Sequence, residues 1–139
     1  MLGEGHSPSW HPQGGKYVFI RNNNIFEMDL KTNQATQLFS ENDYICRMPS
    51  YSKDGKYILF QKEAIVPITE TASSNSFSSR KEIIRWHLYA IKSDGTNLTQ
   101  LTSGNVDVFC PSWGVDNTIF FVSNAGGSTE IWKAKVILD

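Results

Sequence analysis

Pro49-Ser50-Tyr51-Ser52-Lys53-Asp54-Gly55-Lys56-Tyr57-Ile58-Leu59-Phe60 is the stretch from which the fold can be read. It opens with proline, serine and an aromatic, passes through a polar segment holding Asp-Gly, and ends in a β-branched and aromatic run. Asp-Gly supplies positive φ at low steric cost, which a tight hairpin needs. The residues leading into Pro49 are therefore expected to form one strand, and Tyr57 to Phe60 a second, mostly buried strand. Two further stretches have the same make-up: Pro8-Ser9-Trp10-His11-Pro12-Gln13-Gly14-Gly15-Lys16-Tyr17-Val18-Phe19 and Pro111-Ser112-Trp113-Gly114-Val115-Asp116-Asn117-Thr118-Ile119-Phe120-Phe121. Relative to the middle copy, the first carries an extra residue near Gln13-Gly14. The third is one residue shorter.

Each copy has a matching second half. Ile25-Phe26-Glu27-Met28-Asp29-Leu30 corresponds to Leu88-Tyr89-Ala90-Ile91-Lys92-Ser93 and to Ile131-Trp132-Lys133-Ala134-Lys135-Val136. Phe26, Met28 and Leu30 alternate with Glu27 and Asp29, as a strand with one apolar face should. A second turn, Ser93-Asp94-Gly95-Thr96-Asn97, leads into a short fourth strand, and Thr36-Gln37-Leu38 and Thr99-Gln100-Leu101 close two of the copies alike. No long apolar run has a helical period. Four antiparallel strands, recurring at roughly forty residues, are the arithmetic of a β-propeller blade. The expected fold is all-β, a partial β-propeller of about three four-stranded antiparallel blades, the last lacking its outer strand. Blade one is placed at about 5–39, blade two at about 43–102 with an insertion at about 62–82, and blade three at about 106–136 of the single segment 1–139. The strand that would precede Pro8 falls upstream of Met1, so a fragment of a longer propeller or a ring completed by self-association is expected.

The same residues resemble a known family. Pro-Ser-Trp/Tyr, Asp54-Gly55-Lys56, the Ile58-Leu59-Phe60 run, Leu88-Tyr89-Ala90-Ile91, Asp94-Gly95-Thr96 and Gln100-Leu101-Thr102 look like the TolB-type, WD-repeat-like propeller repeat. The resemblance covers nearly the whole chain and is best in the middle copy. It implies a six-bladed ring, which two copies of three blades would supply. It also implies a bacterial, periplasmic setting and a non-catalytic scaffold that binds a protein partner. Met1-Leu2-Gly3-Glu4-Gly5-His6 has neither the charged nor the apolar region of a signal peptide, so the chain itself leaves the compartment unknown. The alternatives are an accessory propeller of a bacterial peptidase or pectic lyase, and a glycan-binding module, for which an exposed Trp86 or Trp132 would be the observable sign. A repeat identifies a scaffold; it does not identify a ligand.

Composition narrows the classes. The chain has 139 residues, 13 basic against 14 acidic, and a formal net charge of -1. That balance argues against nucleic acid as a partner, which calls for a basic face. Hydrophobic residues make up 40% and no apolar run reaches the length of a spanning helix, so membrane insertion is not expected. Four Trp, five Tyr and eight Phe suit a core of flat, β-favouring side chains. Cys46 and Cys110 have no paired metal spacing and are expected as small buried hydrophobes.

No catalytic or metal constellation stands out. Gly5-His6-Ser7-Pro8-Ser9 lacks the last glycine of a nucleophile elbow and has proline where the turn must continue. His6, His11 and His87 are not spaced as a ligand set, and Asp54 and Asp94 are expected as turn residues. No catalytic residue, metal ligand or cofactor is therefore assigned. Trp10, Tyr51 and Trp113 are expected to fill the seams between blades. Two places before each proline, however, the copies diverge to His6, Arg47 and Phe109. If the first strand is innermost, these three form a candidate partner-binding rim, joined by Tyr44 and Asp107.

Copy two also carries an insertion. Phe60 and Leu88 are separated by 27 residues, against five between Phe19 and Ile25. Ile83-Ile84-Arg85-Trp86-His87 is expected to prolong the third strand. Thr69-Glu70-Thr71-Ala72-Ser73-Ser74-Asn75-Ser76-Phe77-Ser78-Ser79 is expected as a surface loop or a binding arm, since closure entropy grows only slowly with length.

Overall fold

A computed structural model describes residues 3–71 and 78–138. Eleven strands and no helix occur among the described residues. The first sheet contains β1 (His6–Trp10), β2 (Lys16–Arg21), β3 (Asn24–Asp29) and β4 (Gln34–Phe39) in chain order. The second contains β5 (Cys46–Tyr51), β6 (Tyr57–Thr71), β7 (Ser78–Lys92) and β8 (Thr99–Gln100). The third contains, among the described residues, three strands: β9 (Val108–Trp113), β10 (Thr118–Ser123) and β11 (Glu130–Lys135). All pairings are antiparallel between chain neighbours, the up-and-down pattern of propeller blades.

The turns form as their chemistry dictates. The Asp54 carboxylate accepts from the Lys56 amide at 3.1 Å and the Ser52 hydroxyl at 2.7 Å, and these bonds hold its carboxyl below the usual range. The Asp94 carboxylate accepts from the Thr96 hydroxyl and amide, with the same effect. Every first strand also holds one irregularity at an equivalent place. Ser7, Met48 and Cys110 have φ of 55°, 56° and 53°, and the ladder skips there by one residue. The next residue in each copy is proline, which such a bulge accommodates because no ladder amide is needed there.

The pairing corrects the repeat alignment. Trp10 lies opposite Tyr17, Tyr51 opposite Ile58, and Trp113 opposite Ile119. Copies one and two therefore have turns of equal length, and the apparent extra residue near Gln13-Gly14 does not exist. Lys16, and not Tyr17, is the counterpart of Tyr57. The third copy is one residue shorter, as expected.

The core lies between sheets, so both faces of the middle blade are packed. One cluster joins Val18, Ile20 and Ile25 of the first sheet to Ile58, Phe60, Tyr89 and Ile91 of the second. Another joins Leu59 and Leu88 of the second sheet to Val108, Ile119 and Val136 at the third. This explains a departure from simple alternation in β3. Ile25 is fully buried, and Glu27, on the same face, is drawn into the first seam by the Tyr51 hydroxyl and by Lys16 at 3.2 Å.

Three other expectations change. Tyr51 is buried in a seam, and the Trp113 indole donates to the Ser50 carbonyl across the next at 3.2 Å, but Trp10 is exposed, touching only its own sheet's Tyr17 edge-on at 5.8 Å among ring contacts. No described sheet stands on its far side. Cys46 is buried as expected, whereas Cys110 is exposed because the bulge turns it outward. The insertion is largely a hairpin. β6 and β7 pair without interruption from Tyr57↔Lys92 to Thr71↔Ser78, so both strands are prolonged, not only the third. The tip, residues 72–77, lies outside the described residues.

Candidate functional site

The hairpin arm and the starts of the inner strands lie at one end of the stack. β5 begins at Cys46, opposite Lys62, and β6 runs on from there as the arm. Beside the base of the arm, between sheets two and three, is an open groove of about 440 Å³ lined by Arg47, Met48, Gln61, Trp86, Asp107 and Phe109, with Cys110 at its edge.

Local structure fixes each of these side chains. Gln61 follows Phe60 on β6 and faces the third sheet, where its carbonyl oxygen accepts the Cys110 amide at 2.8 Å. That bond satisfies the amide freed by the bulge. Trp86 pairs with Glu63 on the arm, placing it on the same face as Gln61 and Leu88. The Asp107 carboxylate accepts the Trp86 amide at 3.0 Å and lies 3.6 Å from the Arg85 guanidinium. The Asp107 amide in turn donates to the Asn124 side chain at 3.0 Å. Arg47 reaches back to the first sheet, donating to the Asn23 side chain at 3.2 Å and to the Cys46 carbonyl at 3.5 Å. Its partners among the described residues are thus neutral oxygens, which leave its charge uncompensated.

Of the five expected rim residues, Arg47, Asp107 and Phe109 come together here. His6 and Tyr44 do not. His6 is exposed in a small depression with Glu4, Pro8 and Arg21. Tyr44 lies in the loop before β5, where its ring receives the Lys62 ammonium at 4.8 Å. Lys62 is buried and also pairs with Glu41 at 2.7 Å, so Tyr44 belongs to the seam between the first two sheets. Met48 and Gln61 were not singled out by the sequence, and Trp86 was considered only for glycans. The register could have found Trp86: pairing Phe60 with Tyr89, as Phe19 pairs with Phe26, puts Trp86 opposite Glu63.

Behind the groove, His87 is fully buried. Its Nε2 lies 3.0 Å from the Gly104 carbonyl, which can only accept, so Nε2 carries the proton. Nδ1 then accepts from the Thr102 hydroxyl at 3.0 Å, and that hydroxyl accepts the Leu88 amide at 2.9 Å. Burial holds the His87 pKa below its ordinary value, against opposing effects of the Gly104 bond and Asp107. With both nitrogens engaged, His87 braces the base of the arm. No group of three or more His, Cys, Asp or Glu able to hold a metal occurs among the described residues.

The arrangement can sequester an apolar side chain against two aromatic rings and the flexible Met48, with the Arg47 side chain among its lining. That combination is typical of binding hot spots.

Solved structures place this architecture. A structure described as TolB of Agrobacterium tumefaciens is similar over 88% of this chain and 40% of its own, with TM-score 0.61 and 20% identity. The fold is that of a β-propeller segment. The tricorn protease is similar over 88% of this chain and 11% of its own, with TM-score 0.60 and 14% identity. The Pyrococcus horikoshii acylaminoacyl peptidase is similar over 95% of this chain and 24% of its own, with TM-score 0.59 and 15% identity. The chain thus spans well under half the length of each. No family model matches the chain, and no curated protein matches it in sequence.

Proposed function

We propose that the chain is a non-catalytic propeller module of the TolB-type repeat family that binds a protein partner through the groove between its second and third sheets. The observation that carries this reading is the meeting of Arg47 and Phe109, from the place where the repeats diverge, with Trp86 and Asp107 in one groove. A repetitive scaffold keeps its packing positions alike and varies those that recognise something. Trp and Arg are enriched among residues that dominate protein interfaces. The uncompensated Arg47 suits a partner segment carrying a carboxylate beside an apolar side chain. A periplasmic setting belongs to the same proposal and rests on the family resemblance.

Selection of peptides from a random displayed library on the immobilised chain tests the reading. Fluorescence anisotropy of a selected peptide is expected to show at least about tenfold weaker binding to Trp86→Ala and Arg47→Glu, a loss of about 1.4 kcal/mol or more. Trp132→Ala is expected to bind as the parent does. Equal binding by Trp86→Ala, or retention of oligosaccharides that depends on Trp132, would contradict it. The likeness to tricorn and to the acylaminoacyl peptidase favours a second reading, an accessory propeller of a peptidase. Selected peptides that bind only when a hydrolase domain is joined to the chain would support that one instead.

A further inference from the structure

The hydrogen-bonding capacity left free on the groove's side chains is of one kind. Gln61 is only 8% exposed, and its carboxamide oxygen accepts the Cys110 amide at 2.8 Å. A backbone amide can only donate, so this bond fixes the carboxamide and turns its nitrogen away from Cys110. That nitrogen has no partner among the described residues. Among the same residues, Ser50 Oγ alone is both sealed from solvent and unpartnered. The Gln61 nitrogen is therefore reached from outside, through the groove that Gln61 lines. Trp86 is similar: Asp107 holds its backbone amide, while its indole N–H has no partner among the described residues. Arg47 stands directly across the ladder from Gln61, and its bonds go to neutral oxygens. The side-chain oxygens, by contrast, are engaged, Asp107 by the Trp86 amide and Arg85, and Gln61 by Cys110. Donors are left over, and side-chain oxygens are not.

We propose that the groove takes the C-terminal end of a partner protein whose last residue is apolar. The main-chain carboxylate accepts from the Gln61 amide and answers the Arg47 charge, while the terminal side chain lies against Trp86 and Phe109. An internal segment would bring an N–H from every residue to a groove whose side-chain oxygens are taken. A buried N–H left without an acceptor is costly. A C-terminal residue instead carries two acceptor oxygens and an apolar side chain on one Cα. One short group thus meets the donors and fills the apolar walls. At about 440 Å³ the groove has the capacity of a small ligand, which suits a chain end. Capture of a terminal carboxylate by converging donors is a recurring mode of peptide recognition. This inference rests on the groove being the partner site, and it names the part of the partner that enters.

Two displayed random-peptide libraries, one ending in a free carboxylate and one followed by further protein, are selected on the immobilised chain. Binders are expected from the first, ending in Leu, Ile, Val or Phe. Amidating the C-terminus of a selected peptide is expected to weaken binding about tenfold or more, read by fluorescence anisotropy. Gln61→Glu keeps an oxygen for the Cys110 amide but puts a second oxygen where the nitrogen was. On that variant the free peptide should lose its advantage over the amidated one. Amidation alters only the peptide, so the comparison on the parent stands even if Gln61→Glu fails to fold. Trp86-dependent binders that come from internal segments, or that tolerate amidation, overturn this inference and leave groove binding intact. An advantage of the free carboxylate that folded Gln61→Glu leaves unchanged also overturns it. Absence of any Trp86-dependent binder overturns both readings.

Discussion

The His11 ring of the first sheet stands edge-on against Tyr51 of the second, with centroids 4.7 Å apart and planes at 73°. The contact fits because Gly55 clears room for it. A Cβ at Gly55 would lie 2.7 Å from the His11 Cε1, in a turn whose φ is +72°. Gly14 has a similar φ of +76°, but a Cβ there meets nothing within 4 Å. Gly14→Ala is therefore expected to cost about 1–2 kcal/mol from backbone conformation alone. Gly55→Ala should lose roughly 1–3 kcal/mol more through overpacking. Urea denaturation of the two variants checks this, and equal losses would show that the seam does not press on His11.

Tyr51 also donates its hydroxyl to Glu27 across that seam. Tyr51→Phe removes a hydrogen bond to a carboxylate while Lys16 remains 3.2 Å from Glu27. A loss of about 1.5–3 kcal/mol is expected at neutral pH. Burial, and then Glu27, push the Tyr51 pKa up. The folded form therefore keeps the hydroxyl proton while the unfolded chain releases it above about pH 10. The advantage of the parent over Tyr51→Phe should accordingly shrink as pH rises beyond that point. Denaturation series at neutral and strongly alkaline pH measure it.

A second alkaline effect comes from Cys46. Burial pushes its thiol up to about 12 from an ordinary 9.0, with Lys62 opposing. The unfolded chain deprotonates first, so stability is expected to fall as pH climbs from 9.0 towards about 12. Cys46→Ala starts less stable because of its cavity, but the gap to the parent should narrow across this window. A constant gap would show that the thiol titrates alike in both states.

Acid acts through His87. Its pKa lies below the ordinary value, so the unfolded chain takes up a proton first as pH falls. The stability that neutral His87 contributes is fully present above about pH 6.5 and is lost as pH falls through the folded value. Titration followed by the imidazole carbon-bound proton signals should place the His87 midpoint below about 6.5. A midpoint above it would contradict burial as the dominant influence on His87.

The arm carries its own ladder and should be removable. Val66 pairs with Ile83, so an Asn-Gly turn joining them in place of 67–82 keeps the register below it. Copy one closes the equivalent hairpin with Asn22-Asn23, whose φ values are 49° and 64°. The shortened protein is expected to stay soluble, with β-type circular dichroism. Aggregation would show that the arm covers part of the core.

Much of this was legible in the sequence because the turns repeat. Asp54-Gly55 and Asp94-Gly95 marked where strands end, and Pro-Ser-aromatic marked where each inner strand lies. The one-residue error in aligning Tyr17 with Tyr57 arose because two tyrosines after lysine look equivalent, whereas backbone pairing makes Lys16 the counterpart. Trp10 resembled Tyr51 in type, but exposure depends on what stands opposite, which no residue announces by itself. The rim was only partly legible. Arg47 and Phe109 were marked by divergence between copies, while Trp86 was expected on a prolonged third strand but not connected with them, because the matching prolongation of the second strand was not read. Tyr44 was near in sequence but was drawn into the first seam by Lys62.

The central claim, partner binding in the groove, is tested most directly by nuclear magnetic resonance. A selected peptide is added to isotope-labelled protein, and perturbed signals are mapped onto the fold. The account predicts that the Trp86 indole proton and the amides of Arg47, Asp107 and Phe109 shift together. Shifts gathered instead on Trp132 and β11, or scattered without reaching Trp86, would contradict it.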